Sequence, residues 1–517
     1  MRNWHSLYEV LRFPLGILFA AFCLLGIGNI IINPAFSSMY SITNEYVIAS
    51  GEALTRIAMF VITNFPLLFL VRIVARKAGS AVSILSAVTG YVAFLIVTMY
   101  FCDPSLTSTA YSSILGLGIS NSVVPSLAGS THYPLQTGIV ATALVSLITL
   151  SSYSKSRQRS DYGFFAFIPR DGYCVLRTLF WSIVAALLIS FVWPYVIFGI
   201  GQVMDFIAAD TTNPINLVLY GFLDRLFSVL NIGAMVRTPF WYGASGGSWI
   251  NIAGGSVSGD VNIWTQQLAA ANLNGMAGRF ITPYYVINIF ALPAMIWGIY
   301  SIQTDVLERR RMRLFFVAAT VASFLGGTVL PLEILLFILA PILFFTHIGL
   351  FGVLFGVFQS MSVYLGMNYT GTSIITALPG TLMEFLSYIT NLTLSSSLIK
   401  IAIVGGITAV IYFFMTRFYF NHMALDLFKT GAEERLVKGT IKAVGGIENI
   451  KMTQSSMARL VISVYDPSKM DIAMLKALGS AKVYETKAGY SIGYGSASTM
   501  VRKGIIKKMR ASIRNVA

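Results

Sequence analysis

One carboxylate, Glu333, stands in "GGTVLPLEILLFILAP" (326–341), a stretch otherwise almost wholly apolar. An ionised carboxylate in hydrocarbon costs several kcal/mol unless it neutralises, finds a partner or faces a wet polar cavity. A charge kept at such depth is therefore a candidate for chemistry on a polar solute, as hydrogen-bond acceptor or as general base. Other charged residues raise the same question. Asp224 and Arg225 sit together in "YGFLDRLF", where they form either part of a cavity wall or an ion pair that fixes helix packing. Arg237 either binds a substrate anion or snorkels to an interface. Trp241 and Tyr242 can stack on a ring-shaped ligand or mark a membrane interface. His347 reads as a lone structural histidine at a helix end, and His5 and His132 belong to no pattern.

The elements that must position these residues are set by composition. Hydrophobic residues make up 56% of the 517-residue chain and charged residues 11%, and the mean hydropathy is +0.73. Soluble chains are about 25% charged. Apolar runs near the ~20-residue bilayer length recur at 13–34, 57–75, 80–101, 134–152, 176–203, 284–302, 314–330, 347–367 and 398–420. The expected fold class is a polytopic α-helical membrane protein of about ten spans plus re-entrant segments, with a small cytoplasmic α/β domain at its C-terminal end. No cleavable signal peptide is expected. Three cysteines, Cys23, Cys102 and Cys174, call for neither a disulfide framework nor a metal cluster, and no cofactor is expected.

The net charge of +15 follows topology rather than a nucleic-acid partner. Segments 35–50, 102–133 and 203–216 contain no Lys or Arg, whereas 153–177 holds Lys155, Arg157, Arg159, Arg170 and Arg177. Arg76, Lys77 and the 309–313 cluster are also basic. Positive residues stay cytoplasmic, so these stretches and both termini are expected on the cytoplasmic side of the membrane. Parity then requires 217–282 to begin and end outside. The Gly-rich "GGSWINIAGGSVSGD" within it, like the polar 368–397, must line a cavity or be buried in protein. Paired interruptions of this kind point to a transporter's binding site.

From about 428 the chain changes character. Residues 431–517 hold 15 Lys and Arg against 6 Asp and Glu and contain no spanning run. "ERLVKGTIKAVGG" predicts a helix with a glycine stop, and "ARLVISVYD" a strand with Leu460, Ile462 and Val464 on one face. "DPSKMDIAMLKALGS" predicts a capped helix, "KVYET" and "YSIGYG" a hairpin, and about 497–513 a basic helix. The basic surface suits acidic lipid or phosphorylated partners.

Taken with their order, these residues resemble a known family. "IKAVGGIENIK" followed by "RLVISVYDPSKMDIAMLKALGS" is similar to the cytoplasmic IIB domain of glucose-type permeases of the bacterial phosphotransferase system. "FPLGILFAAFCLLGIG", "GFLDRLFSVLNIG", "GRFITPYYVINIFALPAMIWGIY" and "SFLGGTVLPLEILLFILAPILFFTHIGL" resemble successive landmarks of the matching IIC domain. The resemblance implies a IIC-like translocating domain over 1–425 and a IIB-like domain over 426–517. It implies binding and inward movement of a hexose or glucoside, with phosphate passed from a IIA protein through a IIB cysteine to the sugar. A homodimer in the membrane is implied as well. Glu333 falls on the second glutamate of the family's "TEPIE" stretch, which accepts hydrogen bonds from sugar hydroxyls, and Arg225 on a family arginine. His347 falls on a family histidine. The polar loop at Thr370, Gly371, Thr372 and Ser373 falls on the family's "DGTS"-like turn.

Several family positions are changed. Ser456 stands where the phosphocysteine is expected, in "SMARLV"; Arg459 matches the first arginine of that run, and Val461 replaces the second. A serine hydroxyl is a weak nucleophile without a neighbouring base, and 431–517 contains no His. Self-phosphorylation at Ser456 is therefore not expected. "NIGA" at Asn231–Ala234 replaces "GLHH", and Leu330 replaces the first glutamate. Two readings follow: a sugar permease that uses a IIB in trans or releases unmodified sugar, or a non-phosphorylating membrane sugar sensor.

Overall fold

Long helices follow directly from the apolar runs, because backbone groups in lipid must be satisfied within the segment. The computed structural model describes residues 2–32, 43–101, 119–120, 131–132, 134–159, 167–251, 254–273, 277–302, 306–368, 379–422, 431–455, 459–478, 480, 482–486, 489–494 and 498–514. The chain divides into two compact units, Met1–Met423 and Ala424–Ala517.

The first unit is built from α1 (Arg2–Ile32), α2 (Glu45–Thr63), α3 (Phe65–Ala78), α4 (Ala81–Phe101), α5 (Ile139–Gln158), α6 (Arg170–Ala209), α7 (Pro214–Val229) and α8 (Ala234–Trp241). It continues with α9 (Asp260–Ala269), α10 (Thr282–Ile302), α11 (Val306–Gly326), α12 (Leu330–Leu339), α13 (Pro341–Ser360), α14 (Leu382–Ser387) and α15 (Ser395–His422). Among the described residues, eight helices are long and apolar enough to cross a membrane. Two shorter apolar helices cover Phe316–Gly326 and Leu330–Leu339.

Two expected spans are divided differently. The run 57–75 is shared by α2 and α3, which break at Asn64. Pro66 lies in the first turn of α3 and has no N–H with which to continue a helix. The run 314–330 stops at Gly326, because Gly327 adopts φ 53° and turns the chain into α12. Within 217–282 a short antiparallel hairpin joins β3 (Ser248–Ile250) to β4 (Ser256–Ser258), whereas β1 (Ile119–Ser120) pairs with β2 (Thr131–His132).

Outward faces are apolar. On α15, Ile399, Ile403, Ile407, Val410, Phe414 and Phe418 recur at helical spacing and are exposed. Inward faces pack through small residues. A Cβ on Gly221 of α7 would lie 2.4 Å from the Phe355 ring, and one on Gly352 of α13 would lie 2.5 Å from the Val218 carbonyl. The α7 and α13 backbones therefore approach closely, as small residues allow in lipid. α10 carries a π-helical segment over Val286–Ala291. There the buried Asn288 side chain donates to the carbonyls of Pro379 (2.9 Å) and Gly380 (3.3 Å).

The second unit holds α16 (Gly431–Ala443), β5 (Ile450–Ser455), β6 (Leu460–Val464), α17 (Ile472–Ala477), β7 (Val483–Thr486), β8 (Gly489–Ile492) and α18 (Ser498–Arg514). The sheet order is β5-β6-β8-β7, and every pair is antiparallel. Its core joins Val437, Ile441, Ile450, Leu460, Ile462, Leu475, Ile492, Val501 and Ile505. β5 was not expected from sequence: a register shift between Ile450 and Met452 breaks its alternation, so that Ile450 and Thr453 are buried and Met452 is exposed. Asp466 caps the turn before α17, and the Ser468 hydroxyl and amide hold its carboxyl below the usual carboxylate range.

Candidate functional site

α7 starts cleanly. Asn213 caps it by accepting from the Ile215 amide, and Pro214 occupies the first turn. Its buried residues Leu217, Tyr220, Gly221, Asp224, Arg225 and Ser228 form one face. That face carries the acid and the base side by side into the interior of the unit.

Arg225 is the hub. Its Nε donates to Asp224 Oδ2 at 3.1 Å, and its Nη1 meets Glu333 Oε2 of α12 at 3.4 Å. Its Nη2 donates to the Tyr284 hydroxyl of α10 at 3.2 Å and to Ser228 Oγ at 3.4 Å. The guanidinium carbon also lies 4.9 Å from the Tyr284 ring centroid and 5.3 Å from that of Phe351. The Tyr284 hydroxyl in turn donates to Asp224 Oδ2.

Arg237 of α8 supplies the second cation. Its Nε lies 3.2 Å from Asp224 Oδ1, and its Nη2 donates to Ser228 Oγ at 3.2 Å. Two carboxylates and two guanidiniums thus balance one another in a buried cluster. Glu333 is extended on its other side by His347 of α13, whose Nε2 is 3.0 Å from Oε1. His347 Nδ1 is 2.9 Å from the Tyr412 hydroxyl of α15. Removing one member of such a set leaves an uncompensated buried charge, at a cost of roughly 3–5 kcal/mol.

Two cavities flank the cluster. The larger encloses about 700 Å³ of empty space, open solvent at its mouth included. Arg225, Ser228, Asn231, Arg237, Tyr284 and Thr328 provide its polar wall, and Phe22, Ile62, Phe65 and Leu330 its apolar wall. Asn231 holds φ 60°, a left-handed conformation that a side chain rarely adopts outside turns and functional sites. The smaller cavity, of about 200 Å³, is bordered by Glu333, His347 and Tyr412 and is otherwise apolar.

The structure therefore brings together Glu333, Arg225, Arg237, Asp224 and His347. Glu333 is 1% exposed and borders the smaller cavity, so its link to a solute in the larger one runs through Arg225. Trp241 is not among the residues that line the larger cavity. It is fully buried, with the Arg237 guanidinium 5.4 Å from its ring. Thr370, Gly371, Thr372 and Ser456 lie outside the described residues, and Arg459 belongs to the second unit, with its guanidinium 5.5 Å from the Tyr484 ring.

Sequence reasoning missed Tyr284, Tyr412, Ser228 and Thr328. A neutral polar residue in an apolar helix is common and gives no signal by itself. It also missed two further buried acids. Asp260 accepts from the amides of Gly278 (2.9 Å) and Phe280 (3.2 Å). Glu384 accepts from the Asn368 amide and from the Tyr388 hydroxyl (3.0 Å). Both tie chain segments that flank the cavity-bearing helices. A scan against protein-family models finds none that matches this chain.

Proposed function

We propose that this chain is a membrane permease for a sugar, a hexose or glucoside, built on the plan of the phosphotransferase IIC and IIB domains. One observation carries the reading: a cavity with polar and apolar walls lies beside a buried, charge-balanced cluster, within a unit whose helices can cross a membrane. Arg237, Asn231 and Thr328 supply hydrogen bonds, while Phe22 and Phe65 supply apolar faces for a sugar ring. Glu333, itself held by His347, meets Arg225 from behind and sets its position. In this reading the tail passes no phosphate of its own, because Ser456 replaces the reactive thiol. Phosphate comes from a IIB in trans, or the sugar enters unmodified.

The test is uptake by membranes containing the full chain, supplied with labelled phosphoenolpyruvate and the general phosphotransferase proteins. Uptake that is lost in Glu333→Gln and retained in Ser456→Ala supports the reading. A labelled phosphoserine at 456 contradicts the account of the tail. A second reading, a sugar sensor, is favoured by the intact core of the second unit beside its lost nucleophile. It is the one to adopt if the protein binds sugar without moving it.

A further inference from the structure

Resting on the permease reading, we infer that the sugar taken by the larger cavity carries an anionic oxygen group, carboxylate or phosphate, which seats against Arg237. A neutral sugar presents many hydroxyls that need acceptors, and carboxylates are the strongest acceptors that proteins offer. Among the described residues the wall of this cavity holds no carboxylate. Asp224 and Glu333 are 0% and 1% exposed and are bound by the guanidiniums, Arg237 and Arg225 on one and Arg225 on the other. The charged groups on the wall are both cations.

The remaining polar groups point the same way. Ser228 already donates its hydroxyl to the Asp224 carbonyl at 2.6 Å and accepts from both arginines. The Tyr284 hydroxyl is committed to Asp224. Arg225 is locked by four partners and only 4% exposed. Arg237 differs: its side chain is 20% exposed, and among the described residues its Nη1 has no hydrogen-bond partner. A guanidinium whose Nη1 is unengaged, held in place by Asp224 and Ser228 and turned to a cavity, suits capture of an oxyanion. The first turns of α8 and α12, at Gly233, Ala234, Thr328 and Leu330, line the same wall. The Gly233 N-cap of α8 has no side chain to cap its helix, so that helix dipole adds to the preference for negative charge, whereas at α12 the Thr328 hydroxyl already accepts from the Leu330 amide.

The experiment is binding to the purified full-length protein in detergent, measured by calorimetry for matched pairs: glucose and glucuronate, galactose and galacturonate, and glucose 6-phosphate. Sodium acetate and inorganic phosphate serve as anions without a sugar. The proposal expects an acidic sugar to bind about tenfold or more tighter than its neutral partner, the increment of a charge-assisted contact. That preference should vanish in Arg237→Gln and persist, weakened, in Arg237→Lys, which keeps the charge but loses the fork. Whether the uronates or the phosphate ester gains the preference identifies the anion. Neutral sugars binding as tightly as acidic ones overturn the inference and leave the permease reading standing. Acetate or phosphate binding as tightly as the acidic sugars removes the sugar from both. Absence of any binding to well-folded protein overturns both together. If Arg237→Gln does not elute as folded protein, the result with Arg237→Lys decides: an undiminished preference contradicts the role of the fork.

Discussion

Two sets of buried acids in the membrane unit are satisfied in opposite ways. Asp224 and Glu333 are held by side chains, two guanidiniums, an imidazole and a phenol brought from four different helices. Asp260 and Glu384 are held by backbone amides, with a phenol added at Glu384. A side-chain partner can turn toward an arriving solute and leave its acid to a neighbour, whereas a backbone amide moves only with its loop. The first set therefore suits a site whose contacts are exchanged during a cycle, and the second suits fixed geometry around it.

The comparison can be broken most forcefully at Arg225. Arg225→Met removes the guanidinium shared by two buried acids, leaving Asp224 with Arg237 and Glu333 with His347, and is expected to cost roughly 3–5 kcal/mol, read as a fall in thermal unfolding temperature in detergent. A loss no larger than that of an ordinary buried methionine swap would show that the acids are not ionised partners. Glu333→Gln comes next. It keeps shape but removes charge, so it should cost about 1.5–3 kcal/mol, the scale of a hydrogen bond to a charged group, and lower sugar uptake about tenfold or more. Glu384→Gln should cost about 1–2 kcal/mol, because an amide oxygen still accepts from Asn368, with sugar affinity unchanged. If Glu384→Gln lowers affinity as much as Glu333→Gln does, the distinction between the two sets fails. The smallest effect is expected from Ser456→Ala, with uptake within about twofold of the parent, as a hydroxyl without a base contributes no nucleophile.

Much of this arrangement is legible in the sequence, for a physical reason. A charge in an apolar run is expensive, so Asp224, Arg225, Arg237 and Glu333 announce themselves, and the structure gathers them around one cluster. Their partners do not. Tyr284 and Tyr412 carry no charge, and Glu333 meets Arg225 across 108 residues of chain, a pairing no local pattern encodes. Helix lengths are less legible than helix existence: the apolar run around Asn64 continues straight through a break that one proline enforces. The aromatic at 241 gives no hint in the sequence that it lies under the Arg237 guanidinium. In the tail, β6 shows its alternation openly, while β5 hides its own behind a bulge.

The central claim, that the Arg225–Arg237 cavity is where a solute binds, is most directly tested by cysteine labelling of Ala234→Cys in membranes, with the three native cysteines replaced. Ala234 lines the cavity wall, so a small hydrophilic maleimide should reach it, and a transported sugar should slow the reaction several-fold. Labelling that is absent, or that proceeds at the same rate with saturating sugar, would contradict the account.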